Sequence, residues 1–283
     1  MTRKSPEARI LNRALPRAQL AEGPYWSMAE QALYWVDIDG CMLHRYHAQE
    51  GHRGYRMPST VGFAVQAQAG RLALGLADGI YSFDRQTSDL ALLASPPDMP
   101  PGNRFNDGKC DPDGYLWAGT ISRARKAEAA LYYLRNGILF AQEEGLVNAN
   151  GLGWSPDGRV MYFNDTARHT TWAYDYDTEK RTAGKRRVFI DHGERGRPDG
   201  LCVDTAGRMY CASWSEGVVD VFSKEGAHLR RVAVSADHVT SCAFGGTDMK
   251  RLFITTAGES GDSGHIFYLD VEIAGRPETP LRL

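Results

Sequence analysis

Asn150-Gly151-Leu152-Gly153-Trp154-Ser155-Pro156-Asp157-Gly158, running on into Val160-Met161-Tyr162-Phe163-Asn164-Asp165, decides how this chain is read. A polar residue opens a short apolar stretch, a turn follows, and a second apolar stretch returns to a polar end. The turn has a physical basis: Pro156 presets φ, Asp157 can bond its own backbone, and Gly158 accepts positive φ. The same unit recurs along the chain. Leu33-Tyr34-Trp35 follows Ser27-Met28-Ala29-Glu30, and Leu72-Ala73-Leu74 follows Ala69-Gly70. Leu116-Trp117 follows Asp111-Pro112-Asp113-Gly114, and Met209-Tyr210 follows Asp204-Thr205-Ala206-Gly207. Leu252-Phe253-Ile254 follows Gly245-Gly246-Thr247-Asp248.

Six such hairpins at intervals of about 40 to 48 residues have the period of a four-stranded propeller blade. Between them lie further strand-like pieces, including Gly79–Asp84, Leu131–Leu134, Thr171–Asp177 and Gly217–Phe222, and most alternate apolar with polar residues. Glu7 to Leu20 has some helical spacing, but Pro6 and Pro16 limit it. One blade cannot bury both of its faces, whereas six stacked around an axis bury them against each other. The expected fold is therefore all-β: a six-bladed propeller of four-stranded antiparallel blades around a central axis, forming one domain over residues 1–283. Residues 1–17 read as a loosely ordered extension, and Ala18–Ala21 as the strand that completes the last blade. A large β-sandwich or two β domains would require a linker-like break. Ser95-Pro96-Pro97-Asp98-Met99-Pro100-Pro101-Gly102 is better read as an extended loop between blades.

A net charge of −2 argues against nucleic acid or an anionic membrane as a standing partner. No window holds the ~18 apolar residues of a membrane span, and Met1–Arg17 lacks the apolar core of a secretory signal. The five cysteines are scattered, with no C-x-x-C pair, which points to buried free thiols in a cytoplasmic protein rather than a disulfide framework. The sequence leaves the oligomeric state open.

Four polar residues open segments that run into the repeated turn: Glu22, Asn106, Asn150 and Asp199. Taken singly, each reads as a turn residue, since Asn and Asp before Gly are common in turns. Their equivalent placement in four repeats would direct them toward one axis. Two carboxylates and two amide oxygens would there form an all-oxygen set suited to a hard divalent cation such as Ca²⁺ or Mg²⁺, with Mn²⁺ or Zn²⁺ also possible in principle.

Ala21-Glu22-Gly23-Pro24-Tyr25-Trp26, Asn103-Arg104-Phe105-Asn106-Asp107-Gly108-Lys109, Asn150-Gly151-Leu152, Pro198-Asp199-Gly200 and Thr240–Gly246 together resemble the SMP-30/gluconolactonase/regucalcin family. The resemblance runs from about Glu22 to Thr256. It implies a divalent metal (Ca, Zn, Mn, Mg or Fe) held at the propeller axis by Glu22, Asn150 and Asp199. It also implies hydrolysis of a sugar lactone, with Asp199 as general base and Arg104 and Asn106 contacting the substrate. Two departures bear on the substrate. Where the family resemblance leads one to expect a glutamate after Ala118-Gly119-Thr120, Ile121-Ser122-Arg123-Ala124 has no acid, which makes Arg123 a further candidate. The last blade also looks short around Ala257–Gly264. The alternatives are hydrolysis of phosphotriesters or aryl esters at the same metal, and a calcium-binding regulatory protein without turnover.

Other patterns carry less. Gly261-Asp262-Ser263-Gly264 has no His and Asp context for a serine nucleophile. Asp37-Ile38-Asp39-Gly40 and Asp111-Pro112-Asp113-Gly114 lack the full spacing of a Ca²⁺ loop and read as hairpin turns. Asn164-Asp165-Thr166 fits a glycosylation sequon that is not expected to be used. Trp26, Trp117, Trp154 and Trp214 read as core rather than as sugar platforms.

Overall fold

The second strand of every repeat is an apolar run buried on both faces, which is what stacking between two neighbouring sheets requires. A computed structural model describes residues 6–194 and 196–282. It contains six antiparallel four-stranded sheets, and in the first five the strands run in chain order from the axis outward. Blade I is Ala21–Ser27, Ala32–Asp37, Met42–His47 and Gly51–Arg56. Blade II is Phe63–Gln66, Leu72–Gly75, Ile80–Phe83 and Leu90–Ala94, and blade III is Arg104–Cys110, Leu116–Ile121, Ala129–Arg135 and Ile138–Leu146. Blade IV is Ala149–Trp154, Val160–Asp165, Thr170–Asp177 and Thr182–Asp191, and blade V is Pro198–Val203, Met209–Ser213, Val218–Phe222 and His228–Ala233. Blade VI begins with His238–Gly245, Arg251–Ala257 and Phe267–Asp270. This is the expected six-bladed propeller. Among the described residues, helix is confined to the 3-10 turns Gln68–Gly70 and Thr166–Arg168, and no helix is long and apolar enough to cross a membrane.

The fourth strand of blade VI comes from the beginning of the chain. Arg9 pairs with Tyr268 and Ile10 with Phe267. The sequence pointed instead to Ala18–Ala21, and that assignment is corrected. Leu20 makes a single bridge to Ala257, the Ala18 N–H donates to the Gly264 carbonyl at 2.9 Å, and Ala21 already belongs to blade I. The earlier segment fits because Ala8 and Ile10 can pack against the core shared by blades V and VI. Leu15 and Ala18 fill the joint between blades VI and I, and Arg17 donates to the Ser263 carbonyl. Residues 6–17 are thus packed onto the propeller, and residues 1–5 lie outside the described part.

Each joint between blades has its own apolar core, six in all. Tyr34, Leu72 and Leu74 fill the joint between blades I and II; Trp117, Trp154 and Tyr176 fill that between III and IV. At about 1.5–3 kcal/mol for each large side chain buried, these joints supply the main cohesion of the ring. The outermost strands face water and carry charge, as in Arg186-Arg187 and Arg230-Arg231, which discourages pairing with other chains.

Residues 258–266 form the longest connection between a second and third strand, so blade VI is not short in itself. Ser263 is fully buried there and accepts the Asp237 N–H, in keeping with its dismissal as a nucleophile. On the opposite face, the C-terminal segment crosses several blades. Gly275 donates to the Met249 carbonyl, Leu281 to that of Gln66 and Arg282 to that of Gly114. Glu278 from this segment meets Lys109 of the innermost strand of blade III at 3.1 Å.

Candidate active site

The dipeptides that resembled turns lie inside strands. In blade III the register shifts between Phe105 and Gly108, in blade IV between Ala149 and Leu152, and in blade V between Pro198 and Leu201. Two residues there oppose one, which defines a β-bulge and re-aims the side chain. Asn106, Asn150 and Asp199 are the first residues of these bulges. Glu22 is the last paired residue before the equivalent bulge in blade I. Blade II has no such shift on its inner strand, and blade VI places the buried Thr240 at the corresponding point.

The glycines that follow answer to space. A Cβ on Gly200 would lie 1.9 Å from Oγ of Ser241, and one on Gly151 would lie 2.4 Å from the Asp199 carbonyl. Neither glycine has positive φ. Bare backbone at these points lets the inner strands approach closely enough for their bulges to converge.

Glu22, Asn106, Asn150, Asp199 and Arg104 are all buried. The carboxyl groups of Glu22 and Asp199 are close enough to feel each other's charge, and the Asn150 amide lies beside Asp199. Thr166 Oγ donates to the Pro198 carbonyl at 2.7 Å, so it can only accept from Asn150, whose Nδ2 lies 3.1 Å away. This sets the amide orientation and leaves Oδ1 of Asn150 without a partner, as is Oδ1 of Asp199. Nη1 of Arg104 donates to Oδ1 of Asn106 at 2.8 Å and to the Phe105 carbonyl at 3.0 Å. Nδ2 of Asn106 donates to Oδ1 of Asn148 and to the Ala149 carbonyl. With both ends engaged, Asn106 holds Arg104 in place and keeps one lone pair free.

Burial raises the Asp199 carboxyl far above the usual range, and the neighbouring Glu22 charge raises it further. Glu22 moves the same way, through burial and then Asp107. Asp107 is only half-buried, and among the described residues no three His, Cys, Asp or Glu side chains converge as a metal cluster. The donor set is therefore two carboxylates and an amide oxygen. Buried like charges with unpartnered oxygens are costly alone and well matched to a hard divalent cation.

Three participants were not legible as such. Thr166 orients Asn150, and Asn148 supports Asn106. Asn164 is fully buried, accepts from Thr171 and donates to the Asp199 carbonyl at 2.5 Å. It had looked like half of an idle sequon. Its signal was positional, since it stands opposite the bulge of blade IV. Arg123 lies on the exposed connection after Ile121 and shares a cleft of about 650 Å³ with Arg104.

Residues 20–258 match the family described as SMP-30/Gluconolactonase/LRE-like region. A pentonolactonase of Haloferax volcanii is 35% identical over 280 residues, covering 92% of this chain and 94% of that protein. A 6-deoxy-6-sulfogluconolactonase of Pseudomonas putida is 32% identical over 273 residues, covering 92% and 94%. Among solved structures, regucalcin from Agrobacterium tumefaciens, a calcium-binding protein, superposes with a TM-score of 0.92 at 31% identity, over 98% of this chain and 97% of that one.

Proposed function

Because the chain belongs to the SMP-30/gluconolactonase/LRE-like family, we propose that it hydrolyses a sugar lactone to the aldonic acid at the cluster of Glu22, Asn150 and Asp199. The carrying observation is the pair of unpartnered buried oxygens, on Asn150 and Asp199, beside a second carboxylate and a buried arginine. Glu22, Asn150 and Asp199 would hold a divalent cation, which when bound would act as a Lewis acid toward the lactone carbonyl and favour the ionised form of Asp199.

The chain's own groups account for the proton transfers and for orientation. Asp199 takes a proton from the attacking water as its oxygen bonds to the carbonyl carbon. The ring C–O bond then breaks, and the ring oxygen recovers a proton as the open hydroxy acid forms. Arg104 offers its free donors to the oxygen that gains negative charge or to ring hydroxyls, and Asn106 keeps that guanidinium in one orientation. The C-terminal segment on the opposite face favours substrate entry from the bulge side.

Turnover of a panel of aldonolactones, measured with the protein stripped by chelator and then reloaded with Ca²⁺, Zn²⁺, Mn²⁺, Mg²⁺ or Fe²⁺, tests this. Stripping should abolish turnover and reloading restore it, and Asp199→Asn should lower kcat by roughly 10²–10⁴-fold. Lactone hydrolysis no faster than the uncatalysed reaction in every metal would end the proposal. The all-oxygen donor set also suits Ca²⁺ binding in its own right; tight Ca²⁺ uptake without turnover would favour that second reading.

A further inference from the structure

The cleft above Arg104 holds a second cationic group, Arg123, that the reaction itself does not use. Arg104 is buried, makes no ion pair among the described residues, and leaves its Nε without a partner. Its field is shaped by Asp39, Glu22 and Asp199, and it is opposed by Arg123. Arg123 is exposed, lines the same cleft, and has no carboxylate within ion-pairing distance among the described residues. Its connection, residues 122–128, also carries Arg125 and Lys126, and its single acid, Glu128, lies 3.8 Å from Lys126. The other wall holds Ser59, Thr60 and Asp78, and Asp78 already accepts the Tyr81 hydroxyl at 3.2 Å. Two guanidinium groups at one cleft, neither paired with a carboxylate among the described residues, repel each other unless an anion comes between them.

Building on the lactonase reading, we propose that the substrate is a sugar lactone with an anionic substituent on the end remote from its carbonyl, and that Arg123 is the residue selecting for it. The lactone carbonyl lies toward Glu22, Asn150 and Asp199, Arg104 spans the middle, and the remote carboxylate or phosphate lies against Arg123. Arg123 stands at the rim, away from the reacting bond. Its contribution therefore falls mainly on KM and on salt sensitivity, with little effect on the chemical step.

The test compares kcat/KM for a neutral hexonolactone, the same lactone carrying a carboxylate at C6, and the same lactone carrying a phosphate at C6. These are run on the wild type, Arg123→Gln and Arg123→Lys, at low and high salt. The wild type should prefer one of the anionic lactones by about tenfold or more. Arg123→Gln should cut that ratio by roughly fivefold to tenfold, mostly through KM, while Arg123→Lys keeps most of it and added salt erodes it. The better of the two anionic lactones identifies the group. Calorimetric binding of the matching open-chain products should follow the same order. Turnover of the neutral lactone with no preference for either anion, or an unchanged ratio in Arg123→Gln, overturns the proposal and leaves the lactonase reading standing. No turnover of any of the three overturns both.

Discussion

At the scale of single residues, burial decides behaviour more than residue type does. Asp199 and Asp39 are both aspartates before or after hairpin-like sequence, yet only Asp199 is enclosed beside another carboxylate. His44 shows the same rule away from the axis. Its ring stacks on Trp35 at 5.0 Å, and its Nδ1 lies 2.9 Å from Nε2 of His52. Burial, and then the neighbouring His52, lower it from 6.5 to about 4. Its folded pKa lies below the unfolded one, so its contribution to stability is complete above pH 6.5 and is lost as pH falls toward 4. The size is ~3 kcal/mol. His192, lowered in the same way, adds a loss of the same sign. Denaturant unfolding between pH 7 and 4 should therefore show a shallower decline for His44→Phe than for the wild type. Parallel profiles would show that His44 does not titrate in this way.

At the scale of elements, the inner-strand bulge is the unit that makes the site. A residue pair opposing a single partner turns one side chain toward the axis, and the small residue beside it lets the next blade close in. Gly200→Ala should therefore act through geometry. The new methyl would collide with Ser241, whose Cβ lies 2.4 Å from the added position. The expected cost is about 1–3 kcal/mol of stability, with weaker divalent-cation binding as Asp199 shifts. Both should be partly recovered in Gly200→Ala/Ser241→Gly. Melting temperature and metal titration measure the two effects, and a variant as stable as the wild type would refute the close-approach argument.

At the scale of the whole molecule, the ring is held closed by joining its two ends in one sheet. Arg9–Ile10 adds the last strand of blade VI, so strands from opposite ends of the chain share one sheet. Deleting residues 1–11 would expose the edge of Phe267–Asp270 and uncover part of the core beneath Ala8 and Ile10. The truncated protein should melt at least several degrees lower, with a broader transition and a tendency to associate. Calorimetry and light scattering check this; an unchanged, sharp transition would mean that closure rests on the apolar joints alone.

The sequence by itself determined the repeat, the number of blades, and which residue types stood at the inner end of each. Hydrophobic alternation and turn chemistry are local properties, and a period of forty-odd residues is visible without coordinates. Tertiary structure alone decided that Asn106, Asn150 and Asp199 occupy bulges rather than turns. It also decided that Thr166 and Asn164 orient the cluster, and that Arg9–Ile10 closes the ring. These depend on which strands become neighbours around the axis, and on the free energy of leaving two oxygens buried without partners. A linear pattern specifies neither, because the distances that matter lie between residues tens to hundreds of positions apart.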